Sequence, residues 1–509
     1  MFLINIEDRS IYMRASGILL HISSLPSDYG IGTMGKEAYK FVDFLEEAHQ
    51  TYWQILPVCP TSYGDSPYQS FSTHAGNPYF IDLDMLEEEG LLKKSDYSKI
   101  KWGSDKSKVD YESIYNNRFK VLKKAFKNFK QTEMTGFNEF LDENENWISN
   151  YALFMSIKEE NENKCWLEWE DGLKKRDPHS LWLFKSSHED EVMFWEFLQF
   201  KFFEQWTQLK KYANSKGIKI IGDIPIYVAL DSAAVWVYPD LFDLDEDLVP
   251  KTVAGCPPDA FAAEGQLWGN PIYNWKRHKE TDYNWWIDRL KAASELFDIV
   301  RIDHFRGFEG YYTIPYGDKN AVNGKWEKGP GIEFFKFITK QLGELPIIAE
   351  DLGFLTEDVR DMLRQSGYPG MKVLEFAFDP REESDYLPHN YSKNCAVYIG
   401  THDNDTILGW MKTMDKETMS FCRKYLDIPD SADDTEFAET FIKRAFACSG
   451  DTLIIQMQDY LGLGSEARMN IPSVPSGNWQ WRMNSKRLLT KKLAAKIADV
   501  TRLYGRCPR

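Results

Sequence analysis

The sequence predicts an α/β chain built as a closed (β/α)8 barrel with large, mostly helical insertions between strands and no C-terminal β-sandwich. Three observations predict this. Eight short apolar, β-branched runs recur along the 509 residues, helical patterns separate most of them, and charged residues gather where the runs end. Alternating strand and helix implies parallel strands joined by crossovers, and eight such units suit a closed barrel. A doubly wound open sheet is the alternative. It usually has fewer strands and often a glycine-rich phosphate fingerprint, and no GxGxxG or P-loop pattern occurs here.

The first two runs are "SGILLHIS" (16–23) and "YWQILPV" (52–58), with the helical pattern "GKEAYKFVDFLEEAH" (35–49) between them. Residues 59–217 then separate the second and third strands, too long for a simple crossover. They begin with the turn-rich "PTSYGDSPYQSFSTHAGNPYF" and continue in charged helical stretches, which predicts an inserted helical subdomain. The third run, "IKIIGDIPIYV" (218–228), is followed by residues 229–283, rich in Gly, Pro and aromatics, as an ordered loop region over a site. Then come "FDIVRIDHF" (297–305), "LPIIAEDLG" (345–353), "MKVLEFAF" (371–378), "NCAVYIGTHDND" (394–405) and "DTLIIQMQDYLG" (451–462). Helical patterns at 284–297, 331–343 and 355–367 precede or separate these runs, and "KLAAKIADVTRLYG" predicts a final helix. No internal repeat or low-complexity tract is present.

Composition narrows the function. The net charge is −17, and a chain this acidic repels phosphate backbones, which argues against nucleic acid as a partner. Aromatic residues make up 15%, with 17 Trp and 26 Tyr. Most belong in the core, but exposed rings suit the C–H faces of sugars. Seven scattered Cys without a CxxC pair argue against a disulfide framework or a zinc site and fit a reducing cytosol. The N-terminus carries acids early and lacks a signal-peptide core. No apolar run reaches spanning length. A cytoplasmic protein without a membrane partner is the expectation.

Chemistry in such a barrel sits at the C-terminal strand ends. The third run carries Asp223, the fourth Arg301, Asp303 and His304, the fifth Glu350 and Asp351, and the seventh His402, Asp403 and Asp405. The sixth and eighth carry Glu375 and Asp459. Several acids have structural explanations. Asp223 suits a turn, Asp351 a cap on the following helix, Asp405 a loop brace, and either histidine a satisfied core position. Asp303, Glu350 and Asp403 differ, because each follows apolar residues on its own strand and all face one mouth. Like charges gathered there cost stability unless function requires them. Two carboxyl groups flanking a scissile bond, one ionised and one protonated, are the apparatus of a retaining glycosidase. Arg301, two residues before Asp303, shares its face and favours its charged form. Glu350, ending the apolar "LPIIA", is placed for a raised pKa. His304 points away from that face in an ideal strand.

"RIDHFRG", "IIAEDLG" and "THDND", with "GDIPIYV" upstream, resemble the 4-α-glucanotransferases, also called amylomaltases or disproportionating enzymes, relatives of the α-amylases. The similarity runs from "SGILLHISSLPSDYGIG" through "PPDAFAAEGQLWGNPIYNW" to "MNIPSVPSGNWQWRM". It implies transfer of α-1,4-glucan segments to the 4-hydroxyl of an acceptor by double displacement. Asp303 matches the nucleophile, Glu350 the general acid/base, Asp403 the transition-state stabiliser and Arg301 the arginine beside the nucleophile. Asp223 and His402 match donor-site sugar contacts. Asp259, Phe261, Trp268 and Asn270 fall in a loop over the acceptor side, and Tyr68 resembles an aromatic near the acceptor sugars. The resemblance implies no catalytic metal and no cofactor, with α-1,4-glucans and maltooligosaccharides as partners, and a monomer or weak homo-oligomer is the expected assembly. Tyr312 stands where many relatives have tryptophan, and Ser473 where they have glycine. An amylase-like hydrolase uses the same acids and is the nearest alternative. A non-catalytic glucan-binding protein has no need of a nucleophile–acid pair, and a structural protein fits least.

Overall fold

The computed structural model describes residues 14–258, 263–353 and 355–508. Eight of its strands form one parallel sheet: β1 (Ala15–Leu19), β2 (Tyr52–Gln54), β3 (Lys219–Pro225), β6 (Ile299–Asp303), β9 (Ile347–Ala349), β10 (Gly370–Val373), β11 (Cys395–Tyr398) and β12 (Thr452–Gln456). Their order is β10-β11-β12-β1-β2-β3-β6-β9. Each expected run supplies one strand, generally shorter than the run itself. The strands are apolar almost throughout, and those of β1 and β12 are buried along their length, because helices cover one face and the barrel interior the other. Between β9 and β10 the barrel is closed by two hydrogen bonds. Ala349 N–H donates to Pro369 O at 2.9 Å, and Met371 N–H donates to Asp351 Oδ1 at 2.6 Å.

The second bond corrects an expectation. Asp351 does not cap the helix that follows, Glu357–Ser366, whose N-cap is Thr356. The chain runs on for several residues after β9 before that helix starts, so the buried carboxylate is already committed to the neighbouring strand.

Residues 59–217 are mostly helical, as the sequence predicts. The longest helix, Glu189–Ser215, packs against Ile148–Glu160. Ile148–Glu160 is buried over most of its circumference, as its apolar "YALFM" without a polar stripe requires. Its Lys158 is 1% exposed and lies 2.5 Å from Asp231 Oδ2, while its ammonium also donates to the carbonyls of Asn163 and Lys164. A buried cation must be paired and fully hydrogen-bonded, and here the pairing pins the insertion to the loop leaving β3.

The region after β3 is more ordered than a loop. β4 (Thr252–Cys256) and β5 (Gln266–Pro271) join β7 (Gly310–Pro315) and β8 (Lys325–Lys328) in an antiparallel sheet of order β5-β4-β7-β8. The sequence reading assigned no strand to these segments. They are short, β4 and β5 each carry a glycine and pair across a register shift, and β4 pairs on its other side with β7 some 60 residues on, so local periodicity does not reveal them. Tyr312, one of the two departures, packs with Val253, Ile314 and Ala321 in a small core of this sheet.

The other departure has a backbone consequence. Ser473 sits at φ 65°, the left-handed region that favours glycine. Ser473→Gly is expected to stabilise the protein by about 1 kcal/mol, read as a higher urea midpoint at unchanged activity.

Candidate active site

The site is assembled around Arg301. β3 and β6 run parallel with Asp223 beside Arg301 in register, and Asp303 lies two residues on along the same face. The guanidinium, 3% exposed, bridges both acids. Its NH1 is 2.5 Å from Asp223 Oδ2 and its NH2 is 2.9 Å from Asp303 Oδ1. Its Nε donates to Met371 Sδ on β10, two strands along the barrel, at 3.4 Å. Burial opposes the arginine's charge, but Asp223 and Asp303 outweigh it and hold its pKa well above the ordinary value.

Glu350 follows β9 and is held by backbone. Leu352 N–H donates to Oε1 at 2.8 Å and His304 N–H to Oε2 at 2.7 Å. Its own N–H donates to Ile302 O at 3.0 Å, and its carbonyl accepts from Phe305 N–H at 3.0 Å. The acid is therefore locked to both sides of Asp303. Burial raises the pKa of Glu350 most, and the charge of Asp303 adds to it. Burial also raises Asp303, but Arg301 in direct contact counters it, and Asp303 keeps 30% of its side chain accessible. Only Asp303 touches a cation, so when the two share one proton it resides on Glu350.

The backbone at His304 makes this possible. β6 ends at Asp303, and His304 adopts φ 54°, a strained left-handed conformation for a non-glycine residue. The turn aims its N–H at Glu350 and brings its ring edge-on to Trp268, with centroids 4.8 Å apart. The ideal-strand expectation that His304 faces away fails because the strand stops one residue earlier. Burial, with Arg306 nearby, lowers the pKa of His304 to about 3, so its ring is neutral at physiological pH.

Asp403 lies in the turn after β11. Its Oδ1 accepts from Asn470 Nδ2 at 2.6 Å and is 3.4 Å from His402 Nε2, while Arg468 NH2 donates to its carbonyl at 2.6 Å. Tyr68 stacks on His402 with centroids 5.0 Å apart, and its hydroxyl donates to Asp223 Oδ2 at 2.9 Å. Tyr68, His402, Asp223, Arg301 and Asp303 therefore form one connected network. Trp479 tilts against both Tyr68 and His402, with centroids at 5.8 Å.

On the other side, β5 presents Trp268 and Asn270. Trp268 Nε1 donates to Gln266 Oε1 at 3.1 Å. Asn270, 6% exposed, donates to Val228 O at 2.8 Å and accepts from Gln69 Nε2 at 3.2 Å, bracing β5 against the β3 loop and the Tyr68 loop. Asp259 and Phe261 lie outside the described residues. Among the described residues no group of three or more His, Cys, Asp or Glu is placed to hold a metal ion.

A carboxylate bridged to arginine, an acid with a raised pKa on the adjacent strand and a third carboxylate beyond have the arrangement of a retaining displacement at an anomeric carbon. The sequence profile of a family described as 4-alpha-glucanotransferase matches residues 20–489.

The chain belongs to the 4-alpha-glucanotransferase family.

It is 49% identical over 490 residues to the 4-alpha-glucanotransferase of Clostridium butyricum, covering 96% of this chain and 100% of that relative. It is 46% identical over 478 residues to that of Thermus thermophilus, covering 92% and 95%. Among solved structures, an amylomaltase from Streptococcus agalactiae in complex with acarbose superposes with a TM-score of 0.94 at 45% identity, over 97% of this chain and 100% of that one. The amylomaltase of Corynebacterium glutamicum shares the fold at 17% identity, with a TM-score of 0.79 over 96% of this chain and 75% of that one.

In this 4-alpha-glucanotransferase the described residues singled out from sequence gather as two groups, one around Arg301 and Tyr68 and one around His304 and Trp268. Sequence reasoning missed Asn470, Arg468 and Trp479, which hold Asp403 and His402 from a Gly- and Pro-rich loop without periodicity. One signal was available. Asn and Trp in "MNIPSVPSGNWQWRM" occur outside any regular element, where polar and aromatic residues have little packing reason to be.

Proposed function

We propose that Asp303, Glu350 and Asp403 carry the glucan transfer of this enzyme as nucleophile, general acid/base and transition-state stabiliser. An Asp303 carboxylate oxygen attacks the anomeric carbon of an α-1,4-glucan. The bond from that carbon to the leaving O4 breaks, and Glu350 gives O4 its proton. The resulting glucosyl ester is attacked by the 4-hydroxyl of an acceptor, which returns its proton to Glu350 as the ester bond breaks. Two inversions give retention. The Arg301 bridge carries this reading, because it favours the ionised form of Asp303 while Glu350, without a cation in contact, retains the proton.

Asp223, His402 and Tyr68 are the donor-side contacts in this reading, and Trp268, with Asp259 and Phe261, the acceptor-side contacts. Asn270 acts there by holding Trp268's strand. Transfer outcompetes hydrolysis when the acceptor is bound and oriented better than water, a task suited to the aromatic acceptor side. The chain then works as one catalytic unit, with residues 59–217 as a helical buttress, in the cytoplasm, as a monomer or weak homo-oligomer. No helix among the described residues is long and apolar enough to cross a membrane. Acarbose, bound by the Streptococcus agalactiae relative, is expected to compete with donor glucan here.

Maltotriose tests the reaction. Glucose together with maltooligosaccharides longer than the substrate is the expected product pattern. Shorter sugars alone, with reducing ends rising in step, favour the amylase-like alternative.

A further inference from the structure

Beneath the loop that carries His402 and Asp403 lie two carboxyl groups the mechanism does not use. Glu375 follows β10 and is 7% exposed, and Asp459 follows β12 and is 4% exposed. Each has one oxygen without a hydrogen-bond partner, Oε1 of Glu375 and Oδ2 of Asp459. Each also adjoins the loop. Ile407 N–H donates to Asp459 Oδ1 at 2.8 Å, and the Asn404 side chain lies beside Glu375, whose own N–H donates to Ile399 O at 3.1 Å. Asn404 in turn accepts from both Thr401 N–H and Thr401 Oγ1 at 2.9 Å, and Thr401 Oγ1 accepts from Asp403 N–H at 3.3 Å. Gly400 leaves the space, since a Cβ there would lie 3.0 Å from Glu375 Oε1.

We propose that Glu375 and Asp459 are positioning residues for Asp403, acting as buried neutral acids that brace the turn between β11 and the helix Ile407–Thr413. A carboxylate with an unpartnered buried oxygen is costly, whereas a carboxylic acid at the same place is tolerated. The surrounding acids point the same way, and Arg468 opposes them at Glu375. Asp405 lies near both acids and Asp459 near Glu375, Arg468 is the cation near Glu375, and Tyr460 adjoins Asp459, with Arg506 near Tyr460. Burial, with Asp405 nearby, raises Asp459 to about 7, and burial, with Asp459 and Asp405, holds Glu375 well above the carboxylate range. Ionisation of either places new negative charge against Asp405 and displaces the turn that presents Asp403. The inference rests on the role proposed above for Asp403 and adds a pH sensitivity that does not pass through Glu350.

α-Glucosyl fluoride separates the two sources, because fluoride leaves without a proton and the later base step is favoured by an ionised Glu350. The wild type is expected to lose about threefold or more of its fluoride-releasing kcat between about pH 6 and about pH 9. Glu375→Gln and Asp459→Asn are expected to keep the rate near pH 6 and to flatten that loss. Glu375→Ala and Asp459→Ala, folded by circular dichroism, are expected to lose about tenfold at both ends. An alkaline loss unchanged in both amide variants overturns the inference, as does a large loss near pH 6 in amide variants of unaltered Tm, which means the acids act as anions. Failure of the wild type to disproportionate maltotriose strikes the functional reading instead.

Discussion

Asp303→Asn abolishes transfer, with a fall in kcat on the order of 10⁴-fold or more, and leaves the fold intact. The amide matches the carboxylate in shape but cannot form the glucosyl ester. The usual hazard of removing one partner of a buried ion pair is a stranded charge. It does not arise here, because Arg301 keeps Asp223 at 2.5 Å. The linkage sign also favours the variant. Asp303 has a pKa raised in the folded state, so its contribution is most favourable below the ordinary carboxylate pKa and is lost as pH rises through the folded value. Near neutral pH, Asp303→Asn therefore melts no lower than wild type, and the comparison shifts in its favour as pH rises from the ordinary carboxylate pKa to about 6. Glucan affinity by calorimetry is retained, since Asp223, His402 and Tyr68 are untouched. Activity near wild type removes Asp303 from the nucleophile role.

Glu350→Gln lowers kcat with maltotriose by about 10²- to 10⁴-fold, the span of general acid–base catalysis. The loss depends on the leaving group. α-Glucosyl fluoride departs without a proton, so the first step survives and the glucosyl-enzyme accumulates. Azide, which needs no base, then restores turnover and yields a product of retained configuration. The pH profile changes with it. Wild-type activity on maltotriose rises as Asp303 loses its proton and falls as Glu350 loses its own, and burial sets both limbs above those of exposed carboxylates. In the variant the limb owed to Glu350 disappears. A maltotriose rate within a few fold of wild type, or no rescue by azide, contradicts the assignment.

The barrel strands were legible because parallel strands buried on both faces leave continuous apolar runs, and segments such as "IVRID" (Ile299–Asp303) and "CAVY" (Cys395–Tyr398) cannot stay on a surface. The same logic located Asp303 and Glu350, since polar groups ending such runs point into the mouth. Asp403 was legible only approximately, for it lies in a turn several residues beyond Tyr398 and owes its position to Asn470, Arg468 and the Asn404 network. That placement depends on side chains from distant loops, which carry no period. His304 shows the limit most clearly. Its left-handed backbone converts an apparent outward residue into the donor that holds Glu350, and no pattern in "RIDHFRG" announces a strand ending at Asp303. Asp351, likewise, was assigned from its neighbours in sequence and is used by the adjacent strand. The antiparallel sheet that carries Trp268 was missed because the short pairing of β5 with β4 is broken by a register shift and β4's other partner, β7, is distant in sequence.

The most direct test of the central claim is to trap the covalent intermediate. Glu350→Gln incubated with α-glucosyl fluoride, quenched in acid and digested, is analysed by tandem mass spectrometry. One glucosyl group on the peptide containing Asp303, fragmenting at that carboxylate, is the result predicted. A glucosyl group on Asp403 or Asp223, or turnover without any adduct and with inverted product, contradicts it.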